Sequence, residues 1–420
     1  MQTNLFTRRT KFSSIAIGLG LILALGILAS LHPAGFVRGA ALSLPAKEWF
    51  ALANRGLDRR VRDKVLLGAD LYLGGMFTRT ADGSLADLGG IVRYDTTSET
   101  WQALPNQGLS SETISLAVVG DDLYAGGSFT ETVDGALPNL GYVARFDTTT
   151  GSWKALPNQG LDHHVHALVA AGSDLYAAGY FTGTGDDSIN DLGHVARYDT
   201  AGDSWKALPN QGLNGNAYVL AVDGDDLYAG GNFYQTGDGA VTKLGNIARY
   251  DSTSSAWYAL PNQGLNDTVT ALLVSGSDIY VGGVFNQTGD GSLTNLGGIA
   301  RFDTIDGTWH AFPNQGLNDQ VYAFFEQNEY LYVGGAFDQT GDGLLIELGY
   351  IALYDTLSQT WQALPNQGFN SWVYTFTPVD DDLYVGGEFN QSGDHTVPGL
   401  GHIARLGESP ERLYLPLVIR

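Results

Sequence analysis

Trp153-Lys154-Ala155-Leu156-Pro157-Asn158-Gln159-Gly160-Leu161 is the stretch that decides the fold, because it returns along the whole chain. Tryptophan stands at Trp49, Trp101, Trp153, Trp205, Trp257, Trp309 and Trp361, a constant spacing of 52 residues without insertion or deletion. Trp372 alone falls outside the series. Self-similarity at a period near 50 marks a repeat architecture, in which each copy is one supersecondary unit that must stack on its neighbours.

Within one copy, Val165-His-Ala-Leu-Val-Ala170 is a short apolar run closed by Gly172-Ser-Asp174, and Leu175-Tyr-Ala177 is a second closed by Gly179. That pattern predicts two strands joined by a tight hairpin. After the loop Phe181-Thr-Gly-Thr-Gly-Asp-Asp187 come Val195-Ala-Arg-Tyr198, a turn at Asp199–Asp203, and Trp205-Lys-Ala-Leu208, which predict a second hairpin. Pro209-Asn-Gln-Gly212 then breaks pairing and leads into the next copy. No segment keeps apolar residues at helical spacing for more than a turn.

The prediction is an all-β, seven-bladed β-propeller with four antiparallel strands per 52-residue blade. Seven is the count of the Tyr-x-Gly-Gly-x-Phe element, at Tyr72, Tyr124, Tyr176, Tyr228, Tyr280, Tyr332 and Tyr384, with Ala178 replacing the first glycine in the third copy. The body opens on an orphan fourth strand, Glu48-Trp-Phe-Ala51, and its last copy stops after a third, His402-Ile-Ala-Arg405. Pairing the N-terminal strand with that last blade closes the ring and removes the open sheet edges. The double glycine lets backbone pass close to a neighbouring blade, while the Trp series and the Phe two places after it fill the wedges. Each such ring buries roughly 150–250 Å², so the aromatic stripe reads as core.

At these residues the chain resembles the kelch-type repeat family. The family pattern is a hydrophobic strand ending in double glycine, then a Tyr and a Trp with six residues between them. Tyr94 and Trp101, Tyr198 and Trp205, Tyr250 and Trp257, and Tyr354 and Trp361 fit it, with Phe146 and Phe302 standing in for Tyr in two copies. The resemblance covers residues 49–406, but the gap between Gly-Gly and the Tyr is longer than in the family. It implies binding more often than catalysis. Galactose-oxidase-like relatives need a cysteine-linked tyrosine and a copper site, which a chain without cysteine lacks. Asp306-Gly-Thr-Trp309 has the wrong spacing for the Asp box of sialidases, and residues 144–153 match a quinoprotein docking motif only faintly. The chain is also similar to repeat arrays of exported bacterial proteins of unassigned function.

Composition sets bounds on function. The chain's 420 residues are 44% hydrophobic and 16% charged, enough for a large core. Without cysteine there are no disulfides or thiolate sites, so stability rests on packing. Net charge is -23, and residues 41–420 alone carry 18 basic and 45 acidic side chains. Such a body repels nucleic acid and anionic lipid. Arg8-Arg-Thr-Lys11, the uncharged run Ile15–Leu31 and the small residues Gly39-Ala-Ala41 follow the order of an export signal. Thr7–Phe12 fits a twin-arginine motif only loosely, with Lys11 where an apolar residue belongs. Residues 1–40 are thus assigned as a signal peptide or N-terminal membrane anchor, 41–47 as a linker, 48–406 as the propeller and 407–420 as an apolar tail. The tail, Leu413-Tyr-Leu-Pro-Leu-Val-Ile-Arg420, reads as an edge strand or an attachment signal. The expected product is an extracellular or cell-surface monomer.

Because scaffold positions repeat, residues that differ between copies mark where the ring specialised. The connection after Pro-Asn-Gln-Gly-Leu varies most, from Asp58-Arg59-Arg60 through Asp162-His163-His164 to Asn370-Ser371-Trp372. In a propeller these connections and the loops between second and third strands share one face, at the mouth of the central channel. The candidate ligand-binding residues are Arg59, Arg60, Glu112, Asp162, His163, His164, Asn216, Asp267, Asp319 and Trp372. Ring closure is expected to bring Trp372 beside the basic cluster Arg55, Arg59, Arg60, Arg62 and Lys64, where arginine and Trp would clamp an acidic sugar or peptide. His164 and His166 share a strand face, with no third metal ligand in view. The Gly-Asp-Gly loops at Asp238, Asp290 and Asp342, with variants at Asp186 and Asp394, read as turns rather than calcium loops. Arg145, Arg197, Arg249 and Arg301 repeat too regularly for a site and are expected to form ion pairs between blades. The expectation is therefore an exported binding or interaction module for a glycan, peptide or protein, with no cofactor, metal or catalytic residue assigned. The alternatives are an extracellular polysaccharide hydrolase or lyase, with acid–base residues drawn from Glu112, Asp162, His163 and Asp267, and a structural cell-surface module.

Overall fold

A computed structural model describes residues 47–408 and shows seven four-stranded antiparallel sheets. Blade 3 is representative: inner strand Val165–Ala171, then Asp174–Gly179, Val195–Asp199 and outer strand Ser204–Ala207, paired in that order. Six blades are continuous in sequence. Blade 7 takes Val373–Val379, Asp382–Gly387 and Ile403–Glu408 from the C-terminal end and Lys47–Ala51 from the N-terminal end. Trp49 lies opposite Leu406 in that closing ladder. The seven inner strands pack on one another in succession, and the seventh meets the first, so the ring is shut. The N-terminal apolar run and the C-terminal tail lie outside the described residues, and among the described residues no helix is long and apolar enough to cross a membrane.

The seven apolar clusters each draw on two successive blades. The Trp–Pro stretch holds those blades together in a definite way. Trp257 Nε1 donates to the Pro209 carbonyl at 3.2 Å, 48 residues back, and Trp309, Trp361 and Trp49 do the same to Pro261, Pro313 and Pro365. In these four blades the indole of the outer strand therefore satisfies the turn that ends the previous one, whereas the buried Trp153 and Trp205 Nε1 groups have no hydrogen-bond partner among the described residues. Within that turn Asn210 sits in the left-handed region at φ 58°, a conformation asparagine tolerates. Its Nδ2 reaches Asp238 Oδ2 of the following blade at 3.0 Å.

The Gly-Asp-Gly loops are turns. Asp238 Oδ1 accepts from Thr236 Oγ1 at 2.9 Å and from the Ala240 N–H at 2.9 Å, so its oxygens cap backbone and bind the Asn of the neighbouring turn. In the Asp186 variant the Ser188 hydroxyl and N–H hold the carboxyl down at about 2. The expected inter-blade ion pairs are instead formed within blades. Arg145 pairs with Asp122 at 2.9 Å and Arg301 with Asp278 at 2.8 Å, each across the second and third strands of one sheet. The reason is register: Arg145 lies opposite Tyr124, which puts its guanidinium next to the acid two residues earlier on that strand. Blade 6 lacks both members and carries Tyr330 and Leu353 in their places.

A candidate ligand site at the channel mouth

The site is built by the double glycine. In every blade the pairing of inner and second strands slips by one residue: Val165 faces Gly179, but Ala167, not His166, faces Ala178. A Cβ on Gly179 would stand 2.1 Å from the His164 carbonyl oxygen, so only glycine lets the inner strand bulge there. A bulge re-aims the extra side chain. Arg62, Ile114, His166, Tyr218, Thr270, Tyr322 and Tyr374 are the extra residues of the seven blades, and all seven line one central cavity of about 540 Å³. They are of five kinds, with Tyr in three blades, whereas the residue before each is Val, Thr or Ala. Grooves of about 570 and 510 Å³ between blades 5 and 6 and between blades 4 and 5 are lined by equivalent scaffold residues, among them the Arg301–Asp278 and Arg249–Asp226 pairs. A groove of about 470 Å³ between the loops of blades 2 and 3 is lined by Tyr142 and Asp162, and the channel cavity alone among these four draws on all seven blades.

Two groups of side chains dominate its mouth. On blades 1, 2 and 7, Arg60 makes a two-point contact with Glu112 of the next blade, Nε to Oε1 at 2.7 Å and Nη2 to Oε2 at 3.2 Å. Arg62 Nε lies 3.1 Å from the same Glu112 oxygen, and Arg60 Nη1 lies 3.7 Å from Glu388. The Arg62 guanidinium also sits over the Tyr374 ring, 4.6 Å from its centre. Donation to the Glu112 carboxylate raises the Arg60 pKa further. Tyr374 packs 5.3 Å from Tyr322, and Trp372, 43% exposed, stands 6.1 Å from Tyr322. On blades 3 and 4, His166 lies 4.7 Å from Tyr180 and 5.4 Å from Tyr218. Burial first, then the nearby Arg62 charge, lower the His166 pKa to about 4, so the ring is neutral at pH 7.

Below the mouth, Asp63 is half-buried and lines the cavity. Its carboxylate accepts from the N–H groups of Lys64 and Leu116, both at 2.8 Å, and from Ser115 Oγ at 3.3 Å. Burial pushes its pKa up and pulls that of Lys64 down.

The sequence candidates fall into three places. Arg60, Glu112, His164, Asn216 and Trp372 occupy the position just before the inner strand, the level at which Thr268 and Gln320 line the cavity. Arg59, His163, Asp267 and Asp319 are exposed loop tips. The Asp267 and Asp319 carboxylates each accept the next residue's N–H at 2.7 Å, and His163 stacks on Tyr142 at 5.9 Å. Asp162 accepts from the Thr182 N–H at 2.9 Å, a bond repeated by Asp58, Ser110, Asn214, Asn266, Asn318 and Asn370 in their blades. The structure thus brings Arg60 and Glu112 together, sets His163 and His164 4.6 Å apart, and gathers Trp372 with Tyr322 and Tyr374. Arg62, not Arg59 or Arg60, stacks on an aromatic ring, and that ring is Tyr374 rather than Trp372. Among the described residues no three or more His, Asp or Glu side chains are grouped to hold a metal ion.

Fold and site together define a seven-bladed β-propeller whose channel mouth departs from the repeat. No family model matches the chain. It is 32% identical over 169 residues to the polarized growth protein rax2 of Schizosaccharomyces pombe, a match covering 37% of this chain and 14% of that protein. It is 32% identical over 139 residues to the polarized growth protein L1 of a Phoma species, covering 30% of this chain and 10% of the other. The chain therefore matches about a seventh and a tenth of the length of these relatives. Among solved structures, the computationally designed Ika8 protein aligns with 85% of this chain and 98% of its own at a TM-score of 0.52 and 14% identity, a likeness of fold alone.

Proposed function

We propose that this protein is an exported recognition module that holds a glycan, peptide or protein at its channel mouth and does no chemistry on it. The observation that carries this reading is the bulge ring: seven side chains of five kinds that share one structural position and face one cavity. Against the hydrolase or lyase alternative, Glu112 is clamped by Arg60 and Arg62, and Asp162 is engaged by the backbone of its own blade. Both carboxylates are held by partners rather than left free for the proton transfer such an enzyme needs. The basic, apolar and small-residue order of the N-terminus supports export. The two relatives named for polarized growth support a part for this module in polarized growth.

The test is a screen of the full chain against glycan and peptide arrays beside its Trp372→Ala and Gln320→Ala variants. At least one class should be bound by the natural chain and lose tenfold or more in affinity in either variant. Binding that both variants leave untouched, or no binding on either array, would remove the channel mouth as a recognition site.

A further inference from the structure

Resting on that reading of the channel mouth, we infer that its ligand is an uncharged saccharide. The first ground is charge balance. Among the ionic side chains at the mouth, two guanidinium groups and two carboxylates are spent on each other, Arg60 on Glu112 and Glu388 and Arg62 on Glu112 and the Tyr374 ring, while the loop-tip carboxylates of Asp267 and Asp319 each accept the next residue's N–H. The deeper Asp63 is already hydrogen-bonded to two backbone N–H groups and Ser115. An anionic ligand would have to displace Glu112 from both arginines, and a cationic one would enter beside those arginines. Either would lose water without gaining a free counter-charge, which makes the burial of a charged group unfavourable.

The second ground is the pairing of aromatic faces with neutral hydrogen-bonding groups. Trp372, the one tryptophan outside the scaffold series, is 43% exposed and sits with Tyr322 and Tyr374. In a ring of seven blades, His166, Tyr180 and Tyr218 on blades 3 and 4 stand opposite that group, with ring centres 4.7 to 6.0 Å apart. Between the two lie Gln320, whose Oε1 accepts from the Tyr322 hydroxyl at 3.1 Å, and Thr268 and Thr270. Sugar rings present flat C–H faces that pack on aromatic surfaces and hydroxyls that both donate and accept, as amide and hydroxyl side chains require. The cavity of about 540 Å³ lies within the range of small-molecule sites.

The experiment is calorimetric titration of the full chain with neutral hexasaccharides (cello-, laminari-, xylo-, manno- and chitohexaose), with hexagalacturonate, and with an acidic and a basic peptide. A neutral hexasaccharide should bind, its affinity should change less than twofold between 20 and 300 mM NaCl, and Trp372→Ala and Gln320→Ala should each weaken it at least tenfold with unchanged melting temperature. Tighter and salt-dependent binding of hexagalacturonate or a peptide, still lost in Trp372→Ala, would overturn the uncharged-saccharide assignment and leave the recognition site standing. Saccharide binding indifferent to both variants would overturn the assignment and the site together. Silence of every saccharide would overturn the assignment, leaving the peptide titrations to decide the site.

Discussion

His166 shows how one side chain can carry both the site and a stability signature. Six titratable groups surround it: Arg62, His164, Glu112 and His163 act through their charges, and Tyr180 and Tyr218 pack on the ring. Burial and the Arg62 charge set its folded pKa near 4, against an ordinary value of 6.5. The folded group is the poorer proton acceptor, so between those values the unfolded chain binds more protons and stability rises with pH. The contribution is complete above pH 6.5 and is lost as pH falls towards 4, a span worth roughly 3 kcal/mol at 1.36 kcal/mol per pH unit. His166→Gln should therefore flatten part of the fall in urea stability between pH 6.5 and 4. The remaining slope belongs to His164, His194 and His402, whose pKa values burial also lowers. Identical slopes in the two proteins would mean that the ring is solvated.

At the scale of the element, the first glycine of each pair explains a coupled exception. A Cβ on Gly126, Gly230 or Gly334 would come within 2.5 Å of the Cγ1 of the valine that starts the next inner strand, Val165, Val269 or Val373. Blade 3 alone has Ala178 there, and the next inner strand alone starts with Ala217, both fully buried. Volume lost on one side is regained on the other. Ala217→Val should cost about 1–3 kcal/mol by overpacking, and adding Ala178→Gly should restore most of it. Additive costs in a double-mutant cycle by urea denaturation would break the pairing.

The same element shows what the sequence could and could not disclose. Period, blade count, strand boundaries and ring closure were legible because they depend on residues that repeat. The bulge was not, because period-two alternation assigns His166 to a sheet face, and only the closeness of the Gly179 backbone turns it into the channel. Variation between copies selects residues two to four positions before the bulge residue of each inner strand. Asp58, Ser110, Asp162 and Asn214 differ in name yet all accept a backbone N–H, so their variation hides a constant role. The column Arg62, Ile114, His166, Tyr218, Thr270, Tyr322, Tyr374 mixes cationic, aliphatic, hydroxyl and aromatic side chains, and that mixture separates it from the Asp162 column, whose members share one bond.

For the whole molecule, the decisive contact is the joint in blade 7, where sequence ends more than 300 residues apart share one sheet. Lys47–Ala51 covers the edge of Ile403–Glu408 along its length. Trp49, 3% exposed, packs 4.4 Å from Phe369 and donates to the Pro365 carbonyl at 3.0 Å. In each of the other six blades the third and outer strands are joined by a covalent turn, so the blade 7 pair depends on ladder and packing alone. Trp49→Ala removes a fully used indole and should cost about 3–5 kcal/mol, as large aromatic truncations in a core do. Trp101→Ala, the equivalent change in blade 1, should leave that blade's strands joined by their turn. The difference is expected in kinetics: opening of blade 7 exposes an unpaired strand edge, which favours self-association. On heating, Trp49→Ala should populate dimers and larger species in light scattering below its melting temperature, while Trp101→Ala should melt as a monomer. If both variants associate alike, the closing strand contributes no more than any other outer strand, and the ring does not depend on its joint.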